Sequence, residues 1–456
     1  MAQHTIWSGA GLVVANMIGV GVMISTGFMA QDMGPIPILL AWAVGAGIAL
    51  CGVLAYSGLA LQIGESGGEY RFLSDLVHPF LGYLAGWGSL ILGFSAAIAA
   101  DAYAVGSYVN TLIDGPDPRL LGTAVVLVFV LVHAGRGQLG VVGQNGLVAA
   151  KVAFLAVFVV LGLSLGNNAV PTWAPPSADD HFPLRELIIN QFWIAFAFSG
   201  WNAAAYVAKE FRNPTRDVGR AMILGMGAVA ILYLLINWIF VANLTPVEAQ
   251  AVFTYEQSRI SLAHLVAQQL FGAAGGAAVS LFVILALVSA ISAMMMVGPR
   301  VYAAMAGDGY LPRVFAAPTG TPRFASVVLQ GSVVLIFLIF HSLRETVQAA
   351  SAFLMVFSAL TALSLFRLGQ IRKGARRPRL RLAAAVVYAA AVACILAMGL
   401  QTSWALWYSL SAVLVLATIG YVATGRIEPP PWRPREAVPQ PAAESTVSVT
   451  GRAEWP

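Results

Sequence analysis

From Ile38 to Leu61 the chain sets 24 residues in succession without one charged side chain. A helix rises about 1.5 Å per residue, so a run of this length crosses a hydrocarbon core of about 30 Å. Leu120–His133, Val152–Leu165 and Leu382–Leu400 repeat the feature. Apolar residues make up 59% of the 456 and charged residues 10%, against roughly 25% charged in a soluble domain. Such a chain cannot cover itself with a solvated surface, and mean hydropathy is +0.80. A nucleic-acid binder, a secreted disulfide scaffold and a cytosolic enzyme are excluded. The chain reads as an all-α polytopic membrane protein.

The apolar pattern predicts 12 transmembrane helices, at about 8–31, 37–61, 80–112, 119–134, 143–166, 187–208, 219–243, 262–306, 324–342, 346–367, 382–400 and 403–424. Gly64–Leu73 reads as a polar, glycine-rich link, Thr245–Arg259 as a short amphipathic surface helix, and Pro299 as a kink in the eighth span. Of the 25 lysines and arginines, twenty fall on the side of the termini, four on the other, and Lys151 within a span. That bias places both termini in the cytoplasm. Residues 1–368 form the expected transport core, with repeats at about 8–166 and 187–367. Residues 369–425 hold two accessory transmembrane helices, and 426–456, rich in Pro, Ala and Glu, a disordered cytoplasmic tail. The first apolar stretch has no Lys or Arg before it and many spans after it, so it reads as a first helix rather than a cleaved signal. Cys51 and Cys394 lie in apolar spans and read as small core residues. The simple short loops suggest the plasma membrane of a bacterium, its inner membrane.

Two spans carry residues that a simple spanning helix avoids. Asn16-Met17-Ile18-Gly19-Val20-Gly21 lies in the first, and Phe196-Ala197-Phe198-Ser199-Gly200-Trp201-Asn202 in the sixth. Each glycine costs up to about 1 kcal/mol relative to alanine inside a helix. Close helix packing explains one such stretch. Two, in the first and sixth places of a five-plus-five arrangement, point to unwound backbone at a transporter's substrate site. A half-helix N-terminus carries positive partial charge and a C-terminus negative. The pair therefore predicts a substrate with adjacent carboxylate and ammonium groups, an α-amino acid.

The motifs then resemble those of the amino acid–polyamine–organocation superfamily, in particular the L-type amino acid transporters and their bacterial relatives. Gly19-Val20-Gly21-Val22-Met23 is similar to the family's G-S/V-G-I-F, and Ser66-Gly67-Gly68-Glu69-Tyr70 to its S-G-G-E-Y. Phe196–Asn202 is similar to F-A-Y-x-G-W-N, and Arg300-Val301-Tyr302 with Asp308-Gly309-Tyr310-Leu311-Pro312 to a cytoplasmic signature after the eighth span. The resemblance implies a leucine-transporter-like fold, a 5+5 inverted repeat plus two C-terminal helices. It implies that the amides of Val20 and Gly21, beside Gly19, hold a substrate carboxylate. The carbonyls of Ile18, Phe196, Phe198 and Ser199, beside Gly200, would receive the ammonium, with Phe196 as an aromatic gate. Asn202 caps freed backbone groups. Val20 stands for the family's common serine and Ser199 for its usual glycine, which bears on side-chain preference.

Lys151 lies eight residues past Gly143, about 12 Å into its span, where a lysine must be paired, neutralised or snorkelling. The resemblance implies an amine in the position that a sodium ion takes in sodium-dependent relatives; Ser289 and Ser292, by their depth in the eighth span, are candidates for nearby oxygens. Asp101, in the third span, is a candidate for proton coupling, for a substrate's second amine or for a structural hydrogen bond. Glu210, Arg216, Arg300 and Asp308 fall at cytoplasmic span ends, as topology signals or as an inner gate of ion pairs. The expected function is secondary active amino acid transport by alternating access, sodium-independent, by exchange or proton coupling. The alternatives are a proton-coupled importer of cationic amino acids or polyamines, and a transport-inactive amino acid sensor. No catalytic constellation, metal-ligand cluster or nucleotide cradle is read, and no cofactor is expected. The expected partners are the amino acid, the bilayer and protons, with no nucleic acid and no obligate protein subunit.

Overall fold

The computed structural model describes residues 4–113, 115–134, 141–169, 171, 173–175, 181–316, 324–371, 379–402 and 404–423. The expected tail at 426–456 and most of the basic stretch between Arg367 and Arg381 lie outside them. Among the described residues the chain is helical, and its one β-bridge joins His4 to Phe211.

The helix α1 (Ile6–Met17) begins at a capping box, in which Thr5 accepts from the Ser8 amide and Ser8 from the Thr5 amide. It runs into α2 (Val20–Met29) across a 41° bend at Ile18-Gly19. Then α3 (Pro35–Ala60) starts on a proline, whose missing N–H costs nothing in a first turn. The short α4 (Gly68–Leu76) precedes α5 (Pro79–Val109), in which Ser89–Ala96 is wound as a π-helix. Next come α6 (Pro118–Ala134) and α7 (Val141–Leu165).

The expected sixth span is three pieces, α8 (Leu184–Ile189), α9 (Gln191–Ala197) and α10 (Ala203–Tyr206). It is followed by α11 (Pro214–Ala242) and, where one amphipathic surface helix was expected, by the two short helices α12 (Pro246–Thr254) and α13 (Glu256–Ile260). The 46-residue α14 (Leu262–Gly307) is far longer than a bilayer requires, and its interior dihedrals leave the helical region at Gly272, φ +73°. Pro299, the expected kink, keeps helical dihedrals. A left-handed φ is open to glycine at no steric cost. The chain ends in α15 (Phe324–Phe340), α16 (Leu343–Ile371), α17 (Arg379–Thr402) and α18 (Trp404–Ala423).

Among the described residues six helices are long and apolar enough to cross a membrane, and the bent α1–α2 pair makes a seventh; α6, residues 149–165 of α7 and α15 are shorter apolar helices. The core of the fold is where α11 packs on α3 and α1, α14 on α5, and α9 on α16. Cys394 is exposed on α17 rather than in the core, because that helix turns much of its surface outward. Cys51 on α3 is half-buried.

Candidate functional site

The breaks in α1–α2 and α9–α10 meet backbone to backbone. A Cβ on Gly21 would fall 2.5 Å from Ala197 Cα and 3.0 Å from Ala197 N, so only glycine lets α2 approach α9. Gly200 has φ +93°, and a Cβ there would lie 2.9 Å from the carbonyl oxygen of Asn16. Glycine is thus required on both sides of one junction, for closeness at Gly21 and for conformation at Gly200.

The break leaves the first-turn amides of α2 and the last carbonyls of α1 without intrahelical partners. Gly19 caps α2 with no side-chain hydrogen bond. The Val20 amide donates instead to Asp101 Oδ1 at 2.7 Å, reaching across 81 residues of sequence. Asp101 is 2% exposed, and its Oδ2 has no hydrogen-bond partner among the described residues. On the other side of the break, Lys151 Nζ donates to the Ile18 carbonyl and, at 3.3 Å, to the Ala15 carbonyl. The Tyr233 hydroxyl donates to the Met17 carbonyl at 2.7 Å. A carboxylate therefore faces the positive end of α2 and an ammonium the negative end of α1, as the macrodipole favours.

The remaining expected site residues are distributed as follows. Ser289 on α14 is buried, and its Oγ has no partner among the described residues. Ser292, one turn on, bonds His133 Nε2 at 3.1 Å. His133 is therefore a buried partner of α14. Phe198, Ser199, Gly200 and Asn202 line a cleft of about 560 Å³, including its mouth, between α3, α9, α16 and α17. Ile18–Gly21 lie outside that lining, so the two breaks share a junction but not this cavity. Phe198 packs edge-on against Trp42, ring centroids 5.7 Å apart. Phe196 is buried on α9. One turn away, Trp193 stacks on Phe28 of α2 with centroids 4.3 Å apart, and the guanidinium carbons of Arg259 and Arg344 each lie 5.6 Å from the Phe28 ring.

Asn202 leads to a group that pattern reading missed. Its Nδ2 donates to Glu69 Oε1 at 3.2 Å, as do the hydroxyls of Tyr56 at 2.6 Å and Ser358 at 2.9 Å. Glu69 is fully buried, and burial pushes its carboxyl above the usual range against the pull of these three donors. The signal in sequence was its place in the S-G-G-E-Y motif. Its partners lie 13, 133 and 289 residues away, and no local pattern reveals them.

At the expected cytoplasmic end, Arg300 Nε binds Glu210 Oε1 at 2.6 Å. Arg71 binds Asp308 at 2.9 Å, the Tyr70 hydroxyl donates to Asp308 at 2.6 Å, and Lys209 binds Glu65 at 2.7 Å. Arg216 stands apart: two-thirds exposed, its ion pair is with its neighbour Asp217. Among the described residues no group of three or more His, Cys, Asp or Glu is placed to hold a metal.

The comparisons agree with this architecture. Residues 5–421 match the amino acid permease family. The chain is 27% identical over 392 residues to the b(0,+)-type amino acid transporter 1 of Oryctolagus cuniculus, covering 81% of this chain and 77% of that one. It is 26% identical over 373 residues to the serine/threonine exchanger SteT of Bacillus subtilis, covering 80% and 83%. An uncharacterized transporter of Mycobacterium bovis is 30% identical over 370 residues, covering 79% and 80%. The chain, a membrane protein and not an enzyme by its kinship, belongs to the amino acid permease family.

Proposed function

We propose that the protein is a secondary active amino acid transporter that works by alternating access without sodium. The observation that carries this reading is the junction of two broken helices at Ile18–Gly21 and Phe198–Asn202, with Lys151 against the α1 carbonyls. The resemblance sets an amine there in place of sodium, and a half-helix end of negative partial charge suits a cation. Gly19, Val20 and Gly21 are assigned to the substrate carboxylate, and Ile18, Phe196, Phe198, Ser199, Gly200 and Asn202 to the ammonium side. Glu210 and Arg300, with Arg71 and Asp308, form the inner gate. Arg216, paired with its own neighbour, drops out of it.

In this reading the six long helices, the bent pair and the three shorter apolar helices, together with the three-piece segment α8–α10 and with α18, make twelve spans, the first ten as a 5+5 inverted repeat with both termini cytoplasmic. The alternation of broken and long helices in the two halves supports that arrangement. The names of the relatives, two of them amino acid carriers, support the substrate class.

A second reading, proton-coupled import of cationic amino acids or polyamines, is favoured by one observation. Asp101 reaches the junction through Val20 and has an oxygen to spare for a proton or a second amine.

The test is equilibrium binding of labelled amino acids to the purified protein. A site that reads both ends of a zwitterion binds at least one amino acid saturably and is competed by it, but not by its carboxamide or its N-acetyl derivative. Equal competition by either derivative, or no binding, contradicts the assignment.

A further inference from the structure

A broken helix in mid-membrane creates a difficulty for the unloaded carrier. Once substrate has left, the freed amide of α2 and the freed carbonyls of α1 must either stay wet or be buried bare, and a bare buried polar group is costly. A carrier that relies on substrate to cover these groups cannot close around an empty site, and it is confined to exchange.

In this protein the cover is built in. Asp101 from α5 accepts the Val20 N–H at 2.7 Å, Lys151 from α7 donates to the carbonyls of Ile18 and Ala15, and Tyr233 from α11 donates to that of Met17 at 2.7 Å. All three side chains are at most 2% exposed. Asp101 and Lys151 carry the same two charges as the ends of an amino acid, and hydrogen bonds from charged partners are the strong kind. Asp101 takes only one of the first-turn amides of α2, which leaves Gly21 in the same turn for a substrate carboxylate.

We propose that Asp101 and Lys151 act as a tethered zwitterion that covers the helix break after substrate release, so that the unloaded carrier reorients and the protein performs net uptake rather than obligatory exchange. This rests on the transport reading above and narrows its mode. It is a departure from what the printed name of the exchanger of Bacillus subtilis says of that protein.

The experiment compares initial uptake of the bound amino acid into sodium-free liposomes holding none of it with uptake into liposomes preloaded with it. The wild type is expected to show empty-liposome uptake of the same order as the preloaded rate. In Asp101→Ala, which removes the acceptor for Val20, the ratio of the two rates is expected to fall by about tenfold or more, the effect of a buried N–H left without its partner. Asp101→Asn, which keeps an acceptor oxygen for Val20 but not the charge, is expected to restore only part of the ratio, to a value between those of Asp101→Ala and the wild type. Wild-type uptake confined to preloaded liposomes overturns the proposal while leaving transport standing. An unchanged ratio in Asp101→Ala overturns it as well. Absence of flux in both modes overturns the transport reading and this proposal with it.

Discussion

At Gly200 the backbone takes φ +93° with the Asn16 carbonyl beside the position of a Cβ, at 2.9 Å. Alanine in the left-handed region costs about 1–2 kcal/mol before any clash. Gly200→Ala is expected to lower the melting temperature and the uptake rate together; a variant indistinguishable from wild type in both contradicts the junction. The second prediction concerns charge. Lys151→Ala takes the positive charge away from the neighbourhood of the buried Asp101 and leaves the Ala15 and Ile18 carbonyls without their donor, at about 1–3 kcal/mol for each buried group left unsatisfied. The double variant Asp101→Ala/Lys151→Ala is expected to be more stable than Lys151→Ala in denaturant unfolding, and equal or lower stability contradicts the coupling. His4 gives a pH-dependent case outside the spans. Burial lowers its pKa from the ordinary 6.5, with Glu210 raising it and Arg300 lowering it less. The fold favours neutral His4, so its contribution is present above pH 6.5 and is lost as pH falls below that value. Acid should lower the hydrogen-exchange protection, relative to the intrinsic rate at each pH, of the His4 and Arg212 amides, which bond Glu210 and His4 carbonyls at 2.7 and 3.2 Å.

Elements were legible where physics is local. The apolar runs located every described long helix to within a few residues, because crossing a bilayer fixes both length and composition. The two breaks were visible because glycine, serine and asparagine at mid-span carry a cost that a plain helix avoids. Gly272 and the π-helical Ser89–Ala96 were not visible, since nothing in their neighbours' types marks the change in winding. Nor was the linkage through α4. Glu69 on α4 holds Asn202 of the unwound segment, while the next two residues, Tyr70 and Arg71, hold Asp308 at the end of α14. This short helix thus ties the unwound segment at Asn202 to the ion pair at Asp308. Glu69→Ala leaves three buried donors short of an acceptor, at about 1–3 kcal/mol for each group left unsatisfied. It is expected to raise the KM for the amino acid, whereas Glu69→Gln, still an acceptor, keeps it near wild type. Equal KM in both variants contradicts the linkage.

Among the described residues two sets of charges stand out at the scale of the whole molecule. Exposed and half-buried pairs, Glu210–Arg300, Arg71–Asp308 and Lys209–Glu65, tie helix ends together on the side proposed as cytoplasmic. A fully buried set, Asp101 and Lys151, serves the helix break at the centre. The first set is the kind that opens and closes with conformation, since partly solvated pairs are worth only about 1 kcal/mol or less. The second is held by desolvation, and Lys151 within it is the proposed substitute for a sodium ion. The most direct measurement is therefore uptake of labelled amino acids into liposomes with and without sodium, for the wild type and for Lys151→Ala. The account predicts wild-type flux that is the same in both media and is lost or strongly reduced in Lys151→Ala. Flux that requires sodium, or saturable binding with no flux under any gradient, would contradict it.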